Sequence, residues 1–398
     1  MAFAFNFLKF DQLAVEIPDK EDAKKNHFIF LSILLTGFLL RVIVCFFVSE
    51  LHVQRDTLGY IGQADTLLAG GYTNYFPNGF PFIIALSKLI SADHYVTVLL
   101  WINIFLSTAT IYFIYHIVKK ASGNITISLL AAFILAVFPT QINYVRWILS
   151  ETPSTFFLAG FFFFYIQNKN FAAGLFIGLA SIIRTELFMI LPFVMLTELL
   201  AFKKIRVFIL AGLLIPILLT GFYCKQKTGK FAISGHGKVN TAYSVTASGS
   251  YIDWYYLDKH PEIKTSNDAM KMYIESMKVN PTQFIKNRAA NLWELWGFFP
   301  SSSSGNRGLA SRILIGLTNL FLLSFGLFGW WKQRKNFSMF ILIFPFLVIT
   351  AVHIMMYALP RYTYPAEPFL IALSSFTLFP LIKNIRSGFI RKKGTDSQ

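Results

Sequence analysis

Long apolar stretches alternate with short polar connections along almost the whole chain. An α-helix needs about 20 residues to cross a hydrocarbon core roughly 30 Å thick. On that basis we predict membrane spans at 28–48, 95–118, 125–142, 152–168, 171–184, 187–202, 205–223, 310–331, 337–357 and 363–383. Several of these spans are shorter than a full crossing. The fifth and sixth are therefore predicted to be tilted, broken or merged helices. Residues 80–91 (FPFIIALSKLIS) fit an amphipathic helix lying in the membrane interface.

The composition agrees with this pattern. The chain has 398 residues, of which 55% are hydrophobic and 14% charged, and its mean hydropathy is +0.54. A typical globular protein has about a quarter of its residues charged. The net charge of +16 does not indicate a nucleic-acid partner, because lysines and arginines cluster at the ends of the apolar stretches. The chain is therefore predicted to be an all-α polytopic membrane protein.

The basic clusters also predict the orientation. They lie at 24–25, 119–120, 169, 203–206, 332–335 and 383–393. With ten spans, all of them fall on one side, which the positive-inside rule makes cytoplasmic. Both termini are then cytoplasmic, and the composition favours a bacterial inner membrane.

This topology divides the chain into five parts. Cytoplasmic tails are predicted at 1–27 and 384–398. Between them we predict a transmembrane module at 28–223 with a first outward loop at 49–94, an outward loop domain at 224–309, and further membrane helices at 310–383. The outward loop domain is rich in aromatic residues and is expected to form a small helical layer on the outer leaflet. No internal repeat typical of many secondary transporters is visible.

Ionisable residues gather at the predicted outward ends of the helices. They are Arg55, Asp56, Asp65, Arg146, Glu151, Arg184, Glu186, His353, Arg361 and Glu367. Each alone is more often an interfacial anchor or a local ion pair. Together they favour a functional cluster, because charges at membrane depth are costly and usually face a cavity or each other.

Such a cluster suits one kind of chemistry. A carboxylate acts as a general base on an acceptor hydroxyl or amine, and arginines grip a phosphate bidentately. A polyprenyl-phosphate sugar, with its phosphate at the interface and its tail in lipid, would approach between the helices. Aromatic side chains would stack on sugar faces at Tyr60, Tyr72, Tyr75 and Phe76.

The outward connections carry a series of short motifs in a characteristic order. The series is Asp56, Tyr60, Ala64-Asp65-Thr66-Leu67, Gly71-Tyr72, Pro77-Asn78-Gly79-Phe80-Pro81, Arg146 with Glu151, Gly178-Leu179-Ala180 with Arg184 and Glu186, and Pro360-Arg361 with Pro365. It resembles the C-type (GT-C fold) glycosyltransferases, especially bacterial relatives of protein O-mannosyltransferases and lipid A aminoarabinose transferases. The resemblance covers residues 28–200 well and 224–398 loosely.

The resemblance implies inverting transfer of a sugar from a polyprenyl-phosphate donor to an outward glycan, lipid or protein acceptor, with 28–223 as the catalytic module. Asp56 is then the general base, and Glu151 orients the acceptor. The implied substrate-binding residues are Arg55, Tyr60, Tyr72, Arg146, Arg184, Glu186 and Arg361. The sequence requires no cofactor. Many relatives carry an acidic pair where this chain has Arg55-Asp56, which leaves a divalent metal open, with Glu151 as a further ligand.

Two other functions fit the same arginines. A flippase or transporter of lipid-linked sugars predicts polar residues near mid-membrane and broken helices in paired positions; few charges lie mid-span. A polymerase or ligase of lipid-linked glycans predicts a long outward loop rich in arginine and histidine, for which His236, His260 and His353 count.

Overall fold

A computed structural model describes residues 20–48, 55–73, 75–297 and 309–395. Over these ranges the regular structure is helical, apart from one isolated bridge between Ser248 and Tyr251. In chain order the α-helices are α1 (Lys20–Ile43), α2 (Arg55–Leu68), α3 (Gly79–Ile90), α4 (Tyr95–Ser122), α5 (Ile125–Val137), α6 (Pro139–Asn143), α7 (Glu151–Ile166), α8 (Asn170–Ile183), α9 (Ile190–Phe202), α10 (Phe208–Thr228), α11 (Gly237–Thr246), α12 (Tyr256–Lys259), α13 (Ser266–Val279), α14 (Pro281–Trp296), α15 (Leu309–Phe321), α16 (Leu327–Gln333), α17 (Phe337–Phe340), α18 (Phe344–Met355) and α19 (Glu367–Thr395). The predicted all-α polytopic fold is confirmed.

Shorter helical turns connect several of these elements. The 3₁₀ turns are Tyr144–Arg146, Thr185–Met189, Ile341–Ile343 and Pro360–Ala366, and π turns are found at Val44–Val48 and Leu322–Gly326. Three of the 3₁₀ turns, Tyr144–Arg146, Thr185–Met189 and Pro360–Ala366, directly follow or contain predicted site arginines. They place those side chains at bends between helices rather than within a regular helix.

The helices differ in length, and only some of the ten predicted spans are long enough for a full crossing. In the described ranges, seven helices are long and apolar enough to cross a membrane, or eight if the pair α5 and α6, bent by 52°, is one span. The predicted fourth and fifth spans are α7 and α8, with 16 and 14 residues. At 1.5 Å per residue they reach about 24 and 21 Å, short of a core roughly 30 Å thick. The prediction that several of the ten apolar stretches are shorter than a full crossing is thus confirmed.

The short helices α7 and α8 form a hairpin that packs tightly against α10. The two helices run in opposite directions, so the beginning of α7 and the end of α8 lie at the same end of the hairpin. A Cβ on Gly174 of α8 would lie 1.9 Å from the carbonyl oxygen of Ile209, and one on Gly212 would lie 2.1 Å from that of Phe171. Small residues at these points let the two backbones approach closely, as is common between membrane helices. Close packing against α10 therefore holds the hairpin in position.

Buried polar side chains support the bent span. Arg41 of α1 is fully buried and donates to the carbonyl oxygen of Ala136 (3.1 Å) and to Oγ of Ser107 (2.7 Å). Ala136 lies at the end of α5, where carbonyl groups have no partner inside the helix. In α6, Gln141 donates from Nε2 to the buried carboxylate of Glu367 at 2.8 Å. These bonds tie the bend to α1 and to α19.

The predicted outward loop domain, called the outward segment below, is described over residues 224–297, and two of its helices begin at recognisable caps. Thr265 and Asp268 form a reciprocal capping box at the start of α13. Asn280 accepts from the backbone N–H of Gln283 at 3.0 Å, and Pro281 occupies the first turn of α14, where its missing N–H costs nothing. Local sequence therefore determines where this pair of helices starts.

One buried arginine anchors the outward segment to the membrane helices. Arg288 of α14 donates to the carbonyl oxygens of Ala247 (2.7 Å), Ser244 (3.1 Å) and Met356 (2.9 Å), and also to that of Met355. Met355 is the last residue of α18. A single guanidinium thus joins α11, α14 and the end of α18 by satisfying carbonyl groups at helix ends.

Candidate active site

A cavity of about 1280 Å³ lies between the membrane helices and the outward segment. The membrane helices supply its charged wall, which contains Asp56, Glu151, Arg184, Glu186, His353 and Arg361. The outward segment supplies the opposite wall, called the roof below, with His236, Gly237, Asn240, Thr241, Tyr243, Trp254 and Tyr255. The four outward connections that stood out in the sequence thus meet around one space.

Asp56 and Arg361 form an ion pair in the charged wall of the cavity, although 305 residues separate them in the chain. Asp56 lies in the first turn of α2, where the helix dipole favours a carboxylate. Arg361 lies in the 3₁₀ turn Pro360–Ala366, and its Nη2 donates to Oδ2 of Asp56. The side chain of Asp56 is 36% exposed and that of Arg361 only 10%. The carboxylate is therefore accessible from the cavity, while the arginine is embedded in its wall.

Glu151 lies deeper, between the two arginines. It is the first residue of α7, and its side chain is 4% exposed. Its Oε1 is 3.3 Å from Nη1 of Arg184 and 3.7 Å from Nε of Arg361. Its Oε2 has no hydrogen-bond partner within the ranges that the structure covers. One oxygen of this carboxylate is thus both unpaired and buried.

The ionic chain ends at Glu186, whose Oε1 accepts from Nε of Arg184 at 2.6 Å. Carboxylates and guanidinium groups therefore alternate in the order Asp56, Arg361, Glu151, Arg184, Glu186. Each guanidinium lies between two carboxylates, which offsets the cost of holding these charges out of water. The five groups carry one net negative charge.

An aromatic ring and a histidine complete the charged wall. The ring of Tyr362 lies beneath both arginines, with its centroid 5.1 Å from Cζ of Arg184 and 5.5 Å from Cζ of Arg361. His353 stacks on the same ring at 4.2 Å and donates from Nδ1 to the carbonyl oxygen of Tyr357 at 3.2 Å. That bond assigns the proton to Nδ1 and leaves Nε2, which has no hydrogen-bond partner in the described part of the chain, as an acceptor.

The first outward loop contributes Tyr60, one helical turn after Asp56. Its hydroxyl donates to Oγ of Ser150 at 3.4 Å, and its ring lies 4.3 Å from that of Phe76. Burial raises the pKa of Tyr60, and the nearby charges of Glu151 and Asp56 raise it further. Tyr60 therefore stays a neutral phenol beside the carboxylates.

The aromatic-proline run after α2 is fixed in place by Gln63. The side-chain amide of Gln63 donates to the carbonyl oxygen of Phe76 (2.9 Å) and accepts from its N–H (3.1 Å). Gly79, which begins α3, lies so close to α8 that a Cβ would be 2.7 Å from the carbonyl oxygen of Ile182. This run therefore shapes the wall directly beside Arg184.

Two other predicted binding residues, Tyr72 and Arg146, lie elsewhere. The hydroxyl of Tyr72 accepts from Nδ2 of Asn78 at 2.7 Å, and neither Tyr72 nor Arg146 is among the residues that line the cavity. Burial raises the pKa of Tyr72. The side chain of Arg55 lies outside the part of the chain that the structure describes. Roles for these three in binding substrate stay predictions.

The donor set of the cavity does not fit a divalent metal ion. Within the described ranges there is no group of three or more His, Cys, Asp or Glu side chains arranged to hold one. The two carboxylates that would be its first ligands, Asp56 and Glu151, are already engaged by Arg361 and Arg184. A guanidinium group lies beside one oxygen of each carboxylate, at a position that a cation would otherwise take.

The sequence did not predict that the roof is part of the site. It showed that the outward segment is rich in aromatic residues but indicated none of His236, Asn240, Tyr243, Trp254 or Tyr255 as site residues. The density of tryptophan and tyrosine near residue 254 was the available signal. What pattern alone did not show is that α11 and the turn before α12 fold back over the carboxylates.

Solved structures with a similar fold are known. Two crystal structures of the oligosaccharyltransferase from Archaeoglobus fulgidus, one tethered by a disulfide bond to an acceptor peptide containing the NVT sequon and one in complex with Zn and sulfate, match with TM-scores of 0.55 and 0.55 at 13% and 12% identity. The matches cover 89% and 90% of this chain but 50% and 49% of those chains. This chain therefore spans about half the length of the proteins it resembles. No protein-family model matches it, and no curated protein matches it significantly.

These findings define the class of structure. The chain has the GT-C fold of the oligosaccharyltransferase structures, and its apolar helices make it a multi-pass integral membrane protein. At this identity the likeness shows the fold alone, and function follows from the cavity.

Proposed function

We propose that this protein is a GT-C-type membrane glycosyltransferase that transfers a sugar from a polyprenyl-phosphate donor to an acceptor on the outward face. The observation that carries the proposal is the alternating chain of carboxylates and arginines that lines one cavity. Inverting transfer from such a donor needs a base for the acceptor and cations for the leaving phosphate. Both kinds of group line the same space.

Donor binding is proposed to begin with an exchange of partners at Arg361. In the structure its Nη2 donates to Asp56, which is the more exposed member of the pair. The donor is a phosphodiester with one negative charge, and its two free oxygens can accept from a guanidinium in bidentate geometry. The phosphate would therefore displace Asp56 from Arg361 and leave that carboxylate free in the cavity. The base becomes available only when the donor is present.

The chemical step then follows. Asp56 accepts the proton of an acceptor O–H or N–H, and the acceptor atom forms a bond to the anomeric carbon of the sugar. The bond between that carbon and the phosphate oxygen breaks, and the polyprenyl phosphate leaves with the electron pair. Arg361 and Arg184 stabilise the charge that develops on it. Glu151, which lines the cavity between the two arginines, orients the acceptor.

The flippase alternative gains little from the fold. It predicts broken helices in paired positions, whereas the described part of the chain has one bent pair, α5 with α6. Arg41, which is fully buried, donates to helix carbonyl groups and to a serine, and it is not among the residues that line the candidate site. The ligase alternative uses the same cavity and differs in its donor, a lipid pyrophosphate.

The experiment is a transfer assay on purified protein in lipid nanodiscs. A panel of polyprenyl-phosphate monosaccharides, each with a radiolabelled sugar, is incubated with the wild type and with Asp56→Asn, and released or transferred sugar is counted. A matching panel of polyprenyl-pyrophosphate sugars separates the ligase alternative.

The proposal expects release from at least one monophosphate donor by the wild type and almost none by Asp56→Asn. Equal release by both proteins would keep the enzyme but remove Asp56 as the base. Tight donor binding without release, with unlabelled membrane glycans supplied as acceptors, would overturn the transferase in favour of a flippase.

A further inference from the structure

The two walls of the cavity differ in chemistry. The wall from the membrane helices is ionic, whereas the roof from the outward segment has no Lys, Arg, Asp or Glu among its described lining residues. The contrast is informative because the segment is rich in lysine, and Lys238 directly follows the lining residue Gly237. Charged side chains are thus present in the segment but point away from the roof.

Aromatic rings dominate the roof and remain accessible. Trp254 is 42% exposed and Tyr255 is 61% exposed, although both line the cavity. Tyr75, from the loop facing them, is 48% exposed and lines the same space. Aromatic residues exposed inside a cavity keep apolar ring surface available for a ligand.

The roof is also rigidly supported. The ring of Trp254 meets Tyr243 at 5.3 Å and Tyr357 at 5.8 Å, both nearly perpendicular to it. The hydroxyl of Tyr357 donates to Oδ1 of Asn240 at 3.1 Å, which fixes an amide in the roof beside the rings. Asp253 accepts from the N–H of Tyr255 at 3.1 Å and so holds the turn that carries both aromatic residues. Aromatic surface and an amide are therefore presented in one fixed arrangement.

His236 extends this uncharged surface toward Phe76. Its ring stacks on Phe76 with centroids 5.1 Å apart, and its Nδ1 donates to the carbonyl oxygen of Tyr75 at 2.9 Å. Burial lowers the pKa of His236, although its bond to Tyr75 and the charge of Asp56 oppose the shift. The histidine is thus neutral near pH 7.

We infer that the roof is the acceptor subsite and that it binds a neutral saccharide. The inference rests on the proposed transferase function, of which it names the acceptor class. A pyranose ring has an apolar face of C–H groups, which packs on an aromatic ring, and an edge of hydroxyl groups, which bonds to amides and carboxylate oxygens. Trp254 and Tyr255 supply the first kind of contact, and Asn240 with the exposed carboxylate of Asp56 supplies the second.

The cavity keeps the two substrates apart. A donor phosphate at Arg361 and Arg184 would occupy the ionic wall, and an acceptor sugar under Trp254 would reach across the space toward Asp56. An anionic acceptor would have to lie in a roof without cations and beside an ionic chain that carries one net negative charge. The geometry therefore selects against acidic glycans as well as for aromatic stacking.

The test is saturation-transfer NMR on the full-length protein in nanodiscs, without donor, so that it does not depend on turnover. The probes are a panel of neutral oligosaccharides of three to six residues in α and β linkages, an acidic oligosaccharide panel, and a peptide panel of similar size. Aromatic protein resonances are irradiated. We expect saturation of ring protons on one face of a neutral sugar, and binding about tenfold weaker in Trp254→Leu.

Two variants serve as controls. Trp254→Phe keeps a ring and is expected to retain most of the binding. Trp293→Leu removes a tryptophan of α14 that is 58% exposed and does not line the cavity, and it is expected to bind as the wild type does. The inference is overturned if no neutral saccharide is saturated, if peptides or acidic glycans bind instead, or if Trp254→Leu and Trp293→Leu behave alike. Sugar binding without transfer in the donor assay would instead refute the proposed enzyme.

Discussion

Asp56→Asn should change donor binding and turnover in opposite directions. Asparagine has nearly the same shape and still accepts a hydrogen bond from Arg361, but it carries no charge and takes up no proton. As the proposed base, Asp56 contributes about 10²–10⁴-fold to the transfer rate. As the partner of Arg361, it competes with the donor phosphate. The variant should therefore bind donor more tightly and transfer far more slowly.

The gain in donor affinity can be worked out from the exposure of the pair. An exposed ion pair contributes less than about 1 kcal/mol, and removing one partner of a buried pair costs about 3–5 kcal/mol. With side chains 36% and 10% exposed, this pair lies between these limits. Releasing Arg361 from it should therefore contribute about 1–2 kcal/mol, which corresponds to roughly 5–30-fold tighter binding of donor.

The measurement is equilibrium binding of a fluorescent polyprenyl-phosphate sugar to protein in nanodiscs, beside a single-turnover transfer assay. Asp65→Asn is the matched control, because Asp65 is also on α2 and also ion-paired, with Lys88, but does not line the cavity. Unchanged or weaker donor binding by Asp56→Asn would refute the exchange of partners at Arg361. A similar gain in Asp65→Asn would show a general effect of charge.

Three further predictions concern packing, anchoring and metal. Gly174→Ala should lower the thermal unfolding temperature, because its Cβ would lie 1.9 Å from a carbonyl oxygen of α10. The control Gly62→Ala should not lower it, because a Cβ there would have no atom within 4 Å. Equal melting curves for the two variants would contradict the close approach. Arg288→Leu should destabilise the protein by at least about 3 kcal/mol, because buried carbonyl groups at the end of α18 lose their donor; chemical denaturation tests this against Lys286→Leu on the exposed side of α14. Treatment with EDTA should leave transfer unchanged, because arginines engage both carboxylates, and loss of activity restored by a divalent cation would refute this.

Much of the candidate site followed from sequence because its signals are local. Asp56 and Tyr60 are separated by one helical turn, and Arg184 and Glu186 are two residues apart, so each pair had to lie together. Charges at the outward ends of apolar helices are costly unless they face a cavity. That argument identified Glu151 and four connections without knowing which of them meet.

The pairing of charges was not readable from the chain. Arg361 bonds to Asp56 over a separation of 305 residues, and only the packing of the 3₁₀ turn against α2 decides that partner. The same holds for Tyr72, which looked equivalent to Tyr60 in sequence but lies outside the lining of the cavity. Residue type predicted the chemistry, and position in the fold selected the participants.

The sequence by itself determined that the chain is an all-α membrane protein, because apolar length and terminal charge express the cost of placing polar groups in lipid. It also determined the outward set of acids and arginines. Only the tertiary structure decided which arginine pairs with which carboxylate, and that an aromatic roof covers them. These features depend on contacts between distant segments, whose energies no local pattern records.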